Sequence, residues 1–158
     1  MPRVPSGALT TVSGDRFILI AESVATQISE FLARDGDALE AGGVLLGLRR
    51  DPHIEIVSAT FPSVGDVRRR YRFSRASDWH QLAAIRAWED SGNLIDYVGE
   101  WHTHPEDWPS PSRIDRVELL RRAQEHREPL VELIVGCKET FGAMADDGQY
   151  ARLKWLDH

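Results

Sequence analysis

The chain has 158 residues, 42% of them hydrophobic, with 19 basic and 25 acidic side chains and a formal net charge of −6. This length predicts one compact domain. Cys137 is the only cysteine, which excludes an intramolecular disulfide and a cysteine-rich zinc site, so any metal must be held by His, Asp or Glu. The acidic balance speaks against a nucleic-acid binder. No apolar run approaches the roughly 20 residues needed to span a bilayer, and the N-terminus lacks the apolar core of a signal peptide. A soluble cytoplasmic protein, free of membrane, is the expectation.

Residues 1–13, with Pro2, Pro5, Ser6 and Gly7, read as a loose leader before a domain over 14–158. Arg16 to Ile20 predicts a short strand. Glu22 to Ala33 places Val24, Ile28, Phe31 and Leu32 at helical spacing, and Asp35-Gly36-Asp37 ends that helix. Gly43 to Leu48 predicts a buried strand and His53 to Phe61 another. A loop with Pro62 and Gly65 leads into a basic run, Arg68, Arg69, Arg70, Arg72 and Arg75. Ser77 or Asp78 then caps a helix to about Glu89, with Leu82, Ile85 and Trp88 expected inward. Ser91-Gly92-Asn93 stops it. Leu94 to Thr103 predicts a strand, Pro105 to Pro111 a rigid loop, and Ser112 opens a helix to about His126. Leu130 to Val135 is a further strand. Two more, near Thr140 to Ala145 and Tyr150 to Trp155, flank an Asp147-Gly148 turn. Strands alternating with helices and closed by a hairpin give an α/β or α+β domain, a mixed sheet flanked by helices.

The chemistry concentrates in Glu100-Trp101-His102-Thr103-His104-Pro105 and its continuation to Asp115. Residues i and i+2 of a strand share a face, so His102 and His104 set two imidazoles side by side at a strand end. Asp115 falls in the first turn of the next helix, and the loop between is long enough to fold that turn over the strand end. Two nitrogens and one carboxylate around a point, with a fourth position open to water, is the ligand count of a catalytic zinc site rather than a closed structural one. Taken alone, a His-x-His is more often ordinary polarity, and Ser112-x-x-Asp115 is a capping box. The two readings of Ser112 and Asp115 are compatible, because a helix N-terminus holds both rigidly. The combination is what points to metal.

His102-x-His104-x7-Ser112-x2-Asp115 resembles, without gap or substitution, the JAMM motif of the MPN-plus metalloproteases. The likeness runs from about Phe17 to Trp155 and implies a single MPN domain of cytidine-deaminase-like fold holding one Zn2+. That family also uses an upstream glutamate beside a glycine-led strand, which Glu40-Ala41-Gly42-Gly43-Val44-Leu45-Leu46-Gly47 resembles. Read alone, Glu40 would pass for a solvated charge. Small bacterial stand-alone members are similar also in an Asp66…Phe73-x-Arg75…His80 stretch and in Gly99 to Pro105. Such members occur on mobile elements and in anti-phage operons of the CBASS type, beside ubiquitin-activating-like and ubiquitin-conjugating-like proteins and a cyclic-nucleotide synthase. The resemblance implies a deubiquitinase-like isopeptidase that releases the synthase from its conjugate, cutting after a flexible C-terminal tail. Maturation of a ubiquitin-like sulfur-carrier protein is the alternative among enzymes. A non-catalytic MPN scaffold is the alternative outside them, although scaffold members typically lack ligand residues that are all present here.

On this resemblance Glu40 is the proton carrier, bonded to the metal's water and not to the metal, and Ser112 donates to the developing oxyanion. A Ser-His-Asp triad drawn from the same residues leaves the second histidine unexplained. Glu100 and Asp107 are candidates to orient a ligand histidine, with plain exposure the simpler reading of Asp107. Trp101 is expected in the core, and Trp108 is a candidate wall for an extended substrate beside the plainer reading of an exposed loop side chain. The Arg68 to Arg75 run either engages an acidic partner or is a solvated edge. His80 reads as structural, and His53, His126 and His158 have no recruiting spacing. An extended tail would be captured by addition to an exposed strand edge.

Overall fold

A computed structural model of the chain describes residues 4–35, 40–62, 67–69, 72–74 and 79–156, with 67–69 and 72–74 described as backbone only. The elements run β1 (Gly7–Thr10), β2 (Phe17–Ile20), α1 (Glu22–Asp35), β3 (Gly42–Arg50), β4 (His53–Ala59), β5 (Val67–Arg69), β6 (Arg72–Ser74), α2 (Trp79–Asp90), β7 (Ile95–Thr103), α3 (Arg113–His126), β8 (Leu130–Val135), β9 (Thr140–Asp146), β10 (Gln149–Arg152) and β11 (Lys154–Trp155). The main sheet has the order β10-β9-β8-β7-β3-β4-β2-β1-β11, and β5 and β6 form a separate antiparallel pair. Two pairings of the main sheet are parallel, β2 with β4 and β7 with β8. The expected α+β architecture with a mixed sheet is therefore what the chain adopts.

The two ends of the sheet are consecutive in sequence. Only Leu153 separates β10, which pairs with β9, from β11, which pairs with β1. The Leu153 N–H donates to the Gly142 carbonyl at 2.9 Å, and Trp155 Nε1 donates to the Thr140 carbonyl at 2.8 Å. The sheet thus curls until one kinked C-terminal segment links both ends, where the sequence predicts a single strand from Tyr150 to Trp155. Closing a sheet in this way covers edges that would otherwise template aggregation.

Of the loose leader expected over residues 1–13, residues 1–3 lie outside the described residues, and the segment from Val4 to Thr10 departs from the expectation. Residues Gly7–Thr10 pair with both β2 and β11, and Val4 and Leu9 are fully buried. Burying two such side chains contributes about 1.5–3 kcal/mol each, enough to hold a short segment whose prolines and glycine suggest looseness. The core they join is formed by Ile18, Ile20, Val24, Ile28, Ile54, Ile56, Trp101 and Leu133, packed between the curled sheet and α1. A smaller cluster under α3 contains Leu119, Ala123, Leu130 and Ala145, with Tyr97 and Tyr150 packed against it.

Helix α2 is the second correction. Leu82, Ile85 and Trp88 are 48%, 44% and 43% exposed, whereas His80 is buried and Ala83, Ala84 and Ala87 are half-buried. Residues three apart recede about 60° around a helix at every step, so 82, 85 and 88 cannot share one narrow face. Positions 80, 84 and 87 follow the i, i+4, i+7 pattern, and the alanines let the helix lie close to β3 and β7. The candidate caps Ser77 and Asp78, and the Asp66 and Arg75 of the resemblance, lie outside the described residues. So do the side chains of the basic run, whose backbone at 67–69 and 72–74 is paired strand instead of the expected loop. Among the described residues no helix is long and apolar enough to cross a membrane.

Candidate metal centre

The unit β7–α3–β8 positions the site. Parallel neighbours need a long crossover, here α3, whose N-terminus stands near the carboxyl ends of the strands, where ligands of α/β proteins gather. Along β7, Trp101 and Thr103 turn into the core while Glu100 and His102 face the α3 side. Trp101 is 1% exposed, as its alternation predicts, and its Nε1 donates to the Thr60 carbonyl at 2.9 Å. After Thr103 the His104 N–H donates to the Val135 carbonyl at 3.0 Å, which keeps the second histidine beside the end of β8. The proline-rich loop is then clamped by the β8–β9 turn, with Cys137 N–H donating to the Glu106 carbonyl at 2.7 Å and Glu139 N–H to that of Asp107 at 3.1 Å. Gly136 is required there, since a Cβ would stand 2.6 Å from the Glu106 carbonyl oxygen.

The loop delivers Ser112 to the N-cap of α3. Its Oγ accepts from the Asp115 N–H at 3.0 Å, and its own N–H donates to Asp115 Oδ2 at 2.8 Å, a complete capping box. The same carboxylate faces both histidines. Asp115 Oδ1 is 3.4 Å from His102 Nε2, and Oδ2 is 3.2 Å from His104 Nε2. One ligand atom from each of the three residues lies within 4.8 Å of the others. Two donors of a tetrahedral zinc, each about 2.0–2.1 Å from it, stand about 3.3 Å apart, so the nitrogen–oxygen separations suit a common ion. Among the described residues His102 Nε2 is buried and makes no hydrogen bond of good geometry, its nearest carboxylate oxygen being Asp115 Oδ1 at 3.4 Å. A buried nitrogen without a partner is costly unless something takes its lone pair, and a metal is what this donor set would accommodate.

Electrostatics agree with the geometry. Burial pushes the Asp115 carboxyl upward, but the two imidazoles and the Ser112 N–H outweigh it and hold the group far below the usual carboxylate range. Burial also disfavours a charged His102, and Asp115, Glu132 and Glu100 together reverse that and raise its pKa.

Glu40 lies two residues before β3, 7% exposed. Its neighbour Ala41 is stapled to the residue between the two histidines: Ala41 N–H donates to Thr103 Oγ1 at 2.8 Å, and Thr103 N–H donates to the Ala41 carbonyl at 2.9 Å. Burial raises the Glu40 pKa, opposed by the charges of His104 and His102. The start of β3 is fixed from its other side by Thr60, whose Oγ1 accepts from Val44 N–H at 2.9 Å and stands 2.5 Å from His80 Nδ1. His80 is thus the buried structural histidine the sequence suggests. A Cβ on Gly43 would overlap the Thr60 carbonyl, so only glycine permits this approach.

Other expectations separate here. Glu100 accepts from the Tyr97 hydroxyl at 2.9 Å and pairs with Arg122 of α3. The acid that faces His102 is Glu132 of β8, whose Oε1 is 3.8 Å from His102 Nδ1 and which the sequence reading missed. Asp107 is a surface charge 3.6 Å from Lys138. Trp108 is 64% exposed on the loop, with Lys138 Nζ 5.3 Å from its ring centroid.

Comparison with known proteins shows what the chain is similar to. Residues 21–147 match the family model of prokaryotic homologues of the JAB domain. A Pseudomonas aeruginosa protein named CD-NTase/cGAS isopeptidase is 44% identical over 106 residues, 66% of this chain and 66% of that protein. A Vibrio cholerae protein of the same name is 38% identical over 125 residues, 79% of this chain and 80% of its own length. The solution structure of a Desulfitobacterium hafniense protein superposes with a TM-score of 0.61 at 23% identity, covering 88% of this chain and 91% of that one, which speaks to the fold alone.

Proposed function

The chain belongs to the prokaryotic JAB-domain family, the group its JAMM motif resembles, and on that premise we propose that it is a zinc-dependent isopeptidase. It releases a protein joined through its C-terminal carboxyl to a lysine or a fused peptide. The observation that carries this reading is the convergence of His102 Nε2, His104 Nε2 and the Asp115 carboxylate beside buried Glu40. His102, His104 and Asp115 would hold the zinc, leaving a position open. When bound, zinc supplies Lewis acidity toward a carbonyl and brings the pKa of water to about 7.

The chain's own residues do the rest. Glu40 takes a proton from the attacking water as its oxygen bonds to the scissile carbon, and hands that proton to the amine as the C–N bond breaks. The products are a free C-terminal carboxylate and a free amine. Burial, which raises the Glu40 pKa, makes it a stronger base than a solvated carboxylate. The Ser112 hydroxyl accepts the Asp115 N–H in the cap, and a hydroxyl retains its own proton to donate, so Ser112 can serve the developing oxyanion without breaking the cap. Trp108 offers an exposed ring on the loop as a wall for the extended tail.

The names of the relatives favour a conjugate of a cyclic-nucleotide synthase as substrate, in the setting of CBASS anti-phage defence. Ubiquitin-activating-like and ubiquitin-conjugating-like proteins would make the bond that this chain breaks, in the cytoplasm. The test is incubation with such a synthase fused or conjugated through its C-terminus, with and without chelator, and mass spectrometry of the products. Cleavage at the junction that stops on chelation and returns with zinc is expected. Scattered cleavage of unfolded proteins, with no preference for that junction, would make the chain a general peptidase.

A further inference from the structure

The strip of β7 and β8 beneath α3 carries two acids in register, Glu100 and Glu132, with His102 the next residue on that face of β7. Each acid receives a tyrosine hydroxyl, Tyr97 for Glu100 at 2.9 Å and Tyr150 for Glu132 Oε2 at 2.6 Å. Their other partners differ. Glu100 pairs with Arg122 of α3, whereas among the described residues the group facing Glu132 Oε1 is the His102 imidazole, with Nδ1 3.8 Å away. Glu132 is 4% exposed. A carboxylate this deep persists only where something compensates its charge, and an arginine next door has been spent on its neighbour.

The His102 ring therefore stands between two acids, Asp115 at its Nε2 edge and Glu132 at its Nδ1 edge. A neutral ring has one proton to give. With the proton on Nδ1, toward Glu132, the Nε2 lone pair points at the place shared with His104 and Asp115, and among the described residues buried Nε2 makes no hydrogen bond. The 3.8 Å gap is an ion-pair contact that a shift of about 1 Å converts to a hydrogen bond. The support is built in from behind: Arg116, the residue after Asp115, lies over the Tyr150 ring at 5.5 Å, so the helix that carries the metal ligand also steadies the tyrosine that holds Glu132. His104 has a weaker counterpart, since the acid at its Nδ1 is Glu106, 3.9 Å away and half exposed.

We propose that Glu132, held by Tyr150, is a positioning residue that fixes His102 with its proton on Nδ1 and its Nε2 lone pair toward the metal. This rests on the metal-dependent reading above. It predicts that Glu132 tightens zinc binding by the about 10–100-fold typical of groups that orient a metal-bound histidine.

Nitrogen-15 spectra of the histidine rings in the metal-free protein, at a pH where the imidazoles are neutral, read the proton position directly. Competition with a chromogenic chelator reads zinc affinity. In the metal-free wild-type protein Asp115 at Nε2 and Glu132 at Nδ1 compete for the ring proton, so the Nδ1–H form should be a measurable share of His102. Glu132→Gln should shrink that share and weaken zinc about 10–100-fold. Tyr150→Phe should shift both readouts the same way by less, and the melting of that metal-free variant separates the effect from folding. Unchanged His102 tautomer and unchanged zinc affinity in both variants would overturn the proposal. A wild-type protein that takes up no zinc would instead count against the metalloprotease reading, while the ring spectra would still decide the role of Glu132.

Discussion

The two histidines of the centre look alike in sequence and differ in what stands behind them. His102 backs onto the interior: buried Glu132, the Tyr150 hydroxyl and the α3 cluster. His104 backs onto the rim, where Glu106 and Trp108 are more than half exposed and Lys138 lies over the indole. One flank is fixed by packing, the other is open to solvent. A peptidase of this kind needs both, because a metal site works only if its ligands are rigid and a substrate tail enters only where the wall is accessible. Asp115 joins the flanks, with one oxygen toward each histidine.

Removing what the flanks share should have the largest effect. Asp115→Ala deletes a proposed zinc ligand and half of the capping box, and metal analysis should find zinc uptake lost and activity with it. A His102→Ala, His104→Ala double variant should behave the same, and full zinc occupancy in it would refute the ligand assignment. Next comes Glu40→Gln, which alters neither flank. Turnover should fall about 10²–10⁴-fold while zinc content and melting stay near wild type. Loss of zinc in that variant would make Glu40 a ligand rather than a proton carrier. On the open flank, Trp108→Ala should raise KM about three- to tenfold with zinc unchanged, the scale of an aromatic contact of about 0.5–1.5 kcal/mol. An unchanged KM would remove Trp108 from the substrate path.

The same contrast explains what the sequence made legible. His102, His104, Ser112 and Asp115 fall within one stretch, and strand alternation plus a helix N-cap places them without knowledge of the rest of the fold. Glu40 came only from family resemblance, because its position depends on the Ala41–Thr103 staple across the sheet. Glu132 did leave a signal: it interrupts a strand, Leu130–Val135, whose six residues are all buried, and a carboxylate there calls for a partner. Naming that partner required the β7–β8 register. The same limit affected β1, whose burial depends on a C-terminal strand almost 150 residues away, as Leu9 opposite Trp155. On α2 the reading favoured large side chains, whereas contact with the sheet selected small ones.

The smallest expected effect is the one that most sharply separates the flanks. Glu106 and Glu132 stand at nearly equal distances from their histidines, 3.9 and 3.8 Å, so distance alone predicts equal consequences of neutralising them. Surroundings predict otherwise. The Glu106 side chain is 51% exposed and that of Glu132 is 5% exposed. Water and salt screen an exposed carboxylate, and its free rotamers make it a poor guide for a ring. Glu106→Gln should therefore leave zinc affinity within about threefold of wild type, the scale of a weak exposed pair, at low and at physiological salt. The measurement is the same chelator competition applied to Glu132→Gln. Equal losses in the two variants would mean that proximity of charge, and not burial behind the ring, sets how firmly each histidine is held.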